Sequence, residues 1–209
     1  MTFQLYRLKQ FVIRIVSTFS DWALFVGIIL IGGIGTHWYM VDSGTTLATD
    51  RIGPWISWGE ASRRDSDPYA RAHFARLGAL PLSSDVSRTY VATTDNDGGA
   101  LHSSCDYAVQ GRDFKSTWWS ISVFDKGGAV IANPAARYSF SRDTIAIGAD
   151  GSFVVSLARE ARPGNWLPTG GAGGLAVMLV LQDGSGSIAD DHLSPEGDQL
   201  PSITRVACR

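Results

Sequence analysis

From Trp22 to Val41 the chain runs Trp-Ala-Leu-Phe-Val-Gly-Ile-Ile-Leu-Ile-Gly-Gly-Ile-Gly-Thr-His-Trp-Tyr-Met-Val, with no Asp, Glu, Lys or Arg in it. In hydrocarbon every backbone N–H and C=O must find a partner inside the protein, so a lone run of this kind can cross only as a helix. A bilayer core of about 30 Å needs about 20 apolar residues in helical form, which is the length present. Trp22 at one end and Trp38-Tyr39 at the other stand where interfacial aromatics belong. Arg7, Lys9 and Arg14 precede the run, whereas Asp42 and Asp50 follow it. The positive-inside rule then places the N-terminus in the cytoplasm and the bulk of the chain outside. A cleavable signal segment is the rival reading, but its apolar core is about 7–15 residues, shorter than this run. An uncleaved anchor is therefore expected.

Ahead of the span, Phe3, Leu5, Leu8, Phe11, Val12, Ile15, Val16 and Phe19 recur at helical spacing, with Arg7, Lys9, Gln10 and Arg14 at other angles. That pattern suits an amphipathic helix lying on a membrane surface, or a cytoplasmic extension of the span. Inside the span, Ala23 with Gly27 and Gly32 with Thr36 set small residues four apart, which lets a second helix approach closely. The expected partners are the lipid bilayer and, through this small-residue face, another membrane protein.

The net charge of −2 leaves no basic excess to neutralise phosphates, which argues against nucleic acid as a partner. Low charge, 23 glycines and many aromatics fit a turn-rich β protein. The organisation expected is a basic amphipathic segment over 1–21, a transmembrane helix over 22–41, a linker over 42–66 and a periplasmic β domain over 67–209. Within the linker, the tryptophans of Pro54-Trp55-Ile56-Ser57-Trp58 either rest at the outer membrane boundary or cap the domain.

Asp67-Pro68-Tyr69 through Gly78 predicts one short helix, with Asp67 as N-cap, Pro68 as first helical residue and Gly78 as terminator. Tyr69, Ala72, Phe74 and Leu77 are expected to supply its apolar side. Beyond it, Thr117, Trp119, Ile121 and Val123 alternate with Ser116, Trp118, Ser120, Ser122 and Phe124, the period of a half-buried strand. Further strands are expected over 86–94, 101–109, 129–132, 137–141, 144–147, 153–157, 175–182 and 202–208. Turns fall at Asp95–Gly99, Asp125–Gly128, Asn133-Pro134, Asp150-Gly151 and Pro163–Asn165, where the residues tolerate positive φ or fix it. Leu175–Leu181 is apolar on both faces, as a central strand would be. The fold class expected is mainly β: an antiparallel sandwich, jelly-roll-like, with one short helix behind a single membrane helix.

Four segments together resemble the bacterial family known as domain of unknown function 1214. They are Trp118–Asp125, Asn133–Ser139, Asp150-Gly151-Ser152 and Gly164-Asn165-Trp166-Leu167-Pro168. The resemblance covers roughly 68–208 and implies a β-sandwich or jelly roll of the bacterial envelope, often behind one apolar N-terminal segment. It implies no catalytic residues. The location it suggests, together with the charge asymmetry, is the bacterial inner membrane, single-pass, with the main domain periplasmic.

No catalytic motif stands out. His102-Ser-Ser-Cys105 has ligand-like spacing, yet in an exported protein with two cysteines a Cys105–Cys208 disulfide is the simpler use, and neither metal nor cofactor is expected. Asp183–Ser187 reads as a hairpin tip, and Gly170–Gly174 as a loop lacking the Lys-Ser/Thr of a phosphate loop. Asp106, Asp125, Asp143 and Asp150 offer carboxylates, but no spacing singles out a catalytic pair. What remains is a set of binding candidates from different turns: Trp118, Asn133, Arg137, Tyr138, Asn165 and Trp166. The plainer reading makes the two asparagines turn-closers, pairs Arg137 with Asp125 and puts the tryptophans in the core. The expected function is a non-catalytic envelope protein whose β-sandwich binds a protein or polar ligand, as an accessory subunit of a membrane complex. The alternative is an envelope hydrolase acting on a glycan or small molecule, with Arg137 and Asn165 in its pocket.

Overall fold

The computed structural model describes residues 2–43, 48–58, 66–79, 82–83, 86–182 and 200–209, with the backbone alone for 2–13 and 43. The hairpin tip expected at 183–187 and His192 lie outside them. The chain divides into two compact units, Met1–Thr45 and Thr46–Arg209.

The first unit is one uninterrupted helix, α1 (Thr2–Ser43). At about 1.5 Å per residue its 42 residues run about 63 Å. The amphipathic stretch and the apolar run therefore belong to one continuous helix. Residues Arg14–Asp42 are long and apolar enough to cross a membrane. Their large side chains stand uncovered: Phe19 is 77% and Ile31 79% exposed, and Trp22, Leu24, Ile28 and Ile34 are comparable.

The second unit is mainly β, with two sheets and helix α2. The strands are β1 (Thr49–Ile52), β2 (Trp55–Trp58), β3 (Ser87–Ala92), β4 (Cys105–Arg112), β5 (Trp118–Asp125), β6 (Ser139–Ser141), β7 (Ser152–Ala158), β8 (Asn165–Pro168), β9 (Leu175–Gln182) and β10 (Ser202–Cys208). One sheet has the order β1-β2-β3-β9-β5-β6, the other β10-β4-β7-β8. All pairs are antiparallel except β7 with β8, which is parallel.

The alternation read in β5 holds. Trp119 and Ile121 are fully buried and Val123 nearly so, packed in register against Leu181, Leu179 and Val177 of the central strand β9. The other sheet sends in Tyr107, Val109, Phe153, Val155, Leu157 and Ile203, and one cluster of buried side chains joins both layers. At its centre the rings of Trp119 and Phe153 stack 5.0 Å apart, with Phe114 edge-on to Trp119. Burying so large an indole requires a partner for its N–H. Asp113 Oδ1 accepts it at 2.8 Å, and Arg142 pairs with the same carboxylate at 3.3 Å.

Helix α2 (Pro68–Leu77) is capped as its residues dictate: Asp67 Oδ1 accepts from the N–H groups of Tyr69 and Ala70, and Gly78 closes the end at φ 64°. Its buried residue is Ala70, however, and Leu77 is 64% exposed, so the expected apolar side is only partly used. Trp58 of β2 stacks on His73 at 3.7 Å.

Three expectations about strands are corrected. Residues 49–58, assigned to a linker, form a hairpin that extends the larger sheet and buries Trp55, whose N–H donates to Pro201 O at 2.7 Å. The segment 129–132 makes only a bridge, Phe124 with Val130. Residues 144–147 form no strand, because the side-chain amide of Asn165 takes both main-chain groups of Ala146. Cys105 and Cys208, register partners across β4 and β10 with Cα atoms 4.0 Å apart, form a disulfide, which removes Cys105 as a metal ligand.

Candidate functional site

The polar residues picked out in the sequence divide into closers of turns and a rim. Asn133 is a closer. Its Nδ2 donates to Ile131 O and Arg137 O, and its Oδ1 accepts from Arg137 N. Asn165, nearly buried, is another: Nδ2 donates to Ala146 O and Val154 O, and Oδ1 accepts from Ala146 N at 2.8 Å. Both N–H donors of each amide are thereby used within the fold.

Arg137, Tyr138 and Trp166 behave differently. The Asn133 loop delivers Arg137 across the edge of the fold to β8. There its Nη1 reaches Trp166 O at 3.5 Å, and its guanidinium lies 5.9 Å from the Trp166 ring and 5.7 Å from that of Phe140. The expected pairing with Asp125 does not form. That carboxylate folds back to accept the N–H of Ala129, closing its own turn with Gly128 at φ 83°. An Asp two residues before a Gly-Gly pair satisfies its turn locally. Trp166 fixes its indole by donating to Ala158 O at 3.0 Å, and Tyr138 stands 43% exposed beside Arg137. Trp118 is not brought into this group; it opens β5 opposite Gln182.

Several of the described carboxylates are committed to structure. Asp95, buried, accepts from Gly99 N and pairs with Arg205 at 2.7 Å. Asp106 meets Arg162, and Glu160 meets Arg209, whose guanidinium holds the Glu160 carboxyl below its usual value. Asp150 is also held low, first by the Ser152 hydroxyl and then by the Ser152 N–H. A general acid requires the opposite shift. The Ser104 N–H donates to His102 Nδ1 at 3.2 Å and the Ser104 hydroxyl lies 2.8 Å from the same nitrogen, which ties that serine into a tight turn. The pairs Asp113–Arg142 and Asp95–Arg205 were not anticipated; nothing in sequence spacing links residues 29 and 110 positions apart.

The second unit is a two-sheet β domain with no assembled catalytic group among the described residues, and the first is a single apolar helix. Residues 87–185 match the model of the family described as protein of unknown function (DUF1214), which bears out the resemblance seen in the sequence. No curated protein matches the chain. Among solved structures it is similar to the VPA0106 protein of Vibrio parahaemolyticus, with a TM-score of 0.56 and 19% identity over 68% of this chain and 36% of that one. An uncharacterised protein from Burkholderia cenocepacia matches at TM-score 0.44 and 14% identity, over 83% of this chain and 40% of that one. The chain thus spans well under half the length of either, and the first likeness speaks for the fold alone.

Proposed function

We propose that this is a single-span envelope protein, anchored in a bacterial inner membrane through residues 22–41, whose periplasmic β-sandwich binds a protein partner or a polar ligand at the Arg137–Trp166 rim. The observation that carries the reading is the exposed apolar surface of α1: side chains such as Phe19 and Ile31 need a non-aqueous surround. A disulfide in the second unit agrees with an oxidising compartment. Arg7, Lys9 and Arg14 before the span favour a cytoplasmic N-terminus. We take the role to be that of a non-catalytic accessory subunit: of the groups a hydrolase would draw on, Asp106, Asp125, Asp150 and the two asparagines are bound up in turns and ion pairs.

Membrane fractionation tests the anchor. The full chain should stay in the membrane through alkaline carbonate extraction, and deletion of residues 22–41 should release it. A full chain that washes off would overturn the reading. Purification in mild detergent tests the accessory role: a defined membrane subunit should co-purify in fixed ratio, and the Arg137→Gln variant should lose it or a polar ligand without unfolding.

A further inference from the structure

Several arginines of the β domain meet a carboxylate: Arg142 with Asp113, Arg162 with Asp106, Arg205 with Asp95 and Arg209 with Glu160. Arg137, Arg159 and Lys126 form no ion pair among the described residues, and all three abut one segment, Trp166–Gly174. Arg137 donates to Trp166 O at its start. The Arg159 guanidinium lies against Gly171, where an added Cβ would come within 3.8 Å of Nη2. The aliphatic stem of Lys126 lies against Gly174, 3.1 Å from where a Cβ would stand, and the Lys126 main-chain N–H donates to Gly174 O at 2.8 Å. The carboxylates next to these cations in sequence are already engaged, Asp125 by its own turn and Glu160 by Arg209.

The segment itself turns tightly. Ala172 N donates to Thr169 O at 3.1 Å, with Gly170 and Gly171 at the exposed tip at φ 27° and 78°. Ser103 pins its far side, accepting from Gly173 N at 2.9 Å and donating its own N–H to Gly173 O. A rigid tip without Cβ atoms leaves main-chain N–H groups open to a close approach, and successive amides of that kind favour an anion.

We propose that Arg137, Arg159, Lys126 and the Gly170-Gly171 tip bind an oxyanion, the carboxylate or phosphate group of a small polar solute. The faces of Tyr138 and Trp166 contact the rest of the molecule. The guanidinium fork suits either group, and charge-assisted bonds of this kind are roughly twice as strong as neutral ones. The proposal rests on the rim being a ligand site and names the ligand's chemistry.

The full chain in detergent is titrated calorimetrically with glucuronate, inorganic phosphate and glucose, at low salt and again at high salt. At least one anion should bind saturably, more weakly at high salt, and glucose should not. The tighter of the two anions identifies a carboxylate or a phosphate source. Arg159→Gln and Lys126→Gln should keep the melting temperature and each lower affinity about tenfold or more, as loss of a charged hydrogen bond does. Anion binding unchanged in both variants overturns the proposal, as does the absence of anion binding by folded protein. Glucose binding as well as glucuronate, lost in Tyr138→Ala, overturns the anion assignment while leaving a polar-ligand rim in place.

Discussion

Trp119 and Trp118 are neighbours in the chain with opposite fates. Trp119 is fully buried against Phe153 and Phe114, with its N–H held by Asp113. Trp119→Ala should therefore cost about 3–5 kcal/mol in urea unfolding. Trp118→Ala, on the half-buried opposite face, should cost well under half as much. Asn165 and Arg137 separate in the same way. Asn165→Ala leaves the N–H and C=O of Ala146 and the C=O of Val154 without their partner, and should cost at least about 2 kcal/mol. Arg137→Gln gives up two exposed contacts with aromatic rings, about 0.5–1 kcal/mol each, and should lower the melting temperature by only a few degrees while the domain stays folded. The plainer reading of the sequence joined Arg137 to a carboxylate and so expected its loss to be felt as instability; Asp125, closed on its own turn, removes that expectation. Asp150 provides a pH test. Its folded pKa lies below the ordinary 3.8, so its contribution is present above that value and is lost as pH falls through the folded pKa. A carboxyl-carbon NMR titration should place Asp150 below 3.8, and Ser152→Ala should return it toward that value. An Asp150 midpoint at or above 3.8 would contradict the assignment.

At the scale of elements, β10 is an edge strand held by three devices. The Asp95–Gly99 turn closes over its outer side, where Asn96 exchanges two hydrogen bonds with Ile203. Arg205 reaches back to Asp95, and the disulfide fastens Cys208 to Cys105 across 103 positions. Asn96, through its main-chain N–H and its Oδ1, thereby occupies backbone groups that a foreign strand could otherwise use. Removing the disulfide by Cys105→Ser with Cys208→Ser should cost on the order of 4–5 kcal/mol in the chain-entropy account, read as a lower midpoint in urea. The protein isolated without reductant should show no titratable thiol. The longer strands were legible in the sequence, β5 by its alternation and β9 by a run apolar on both faces, as were β7 and α2 with its Asp-Pro and Gly ends. Short elements were not. The four-residue strands β1, β2 and β8 are too brief to show a period, and β8 gains its identity from lying parallel to β7, a pairing no local signal announces. Residues 144–147 had the composition of a strand, but a side-chain amide from nineteen positions away supplied the bonds a neighbouring strand would have made.

The whole molecule is two units of opposite character: a helix whose apolar side chains face outward, and a β domain whose apolar side chains are gathered inside. The first was the most legible part of the sequence, because an uncharged run of bilayer length admits one solution. The proposed rim was the least legible. Arg137 and Trp166 were picked out from their residue types, while the contacts of Arg159 with Gly171 and of Lys126 with Gly174 are made only by the fold. What joins the two units is the claim that the β domain faces the periplasm, and topology tests that most directly. A reporter active only after export, fused behind Arg209, should be active in the full chain. Activity confined to a reporter that works only in the cytoplasm, fused at the same position, would contradict it.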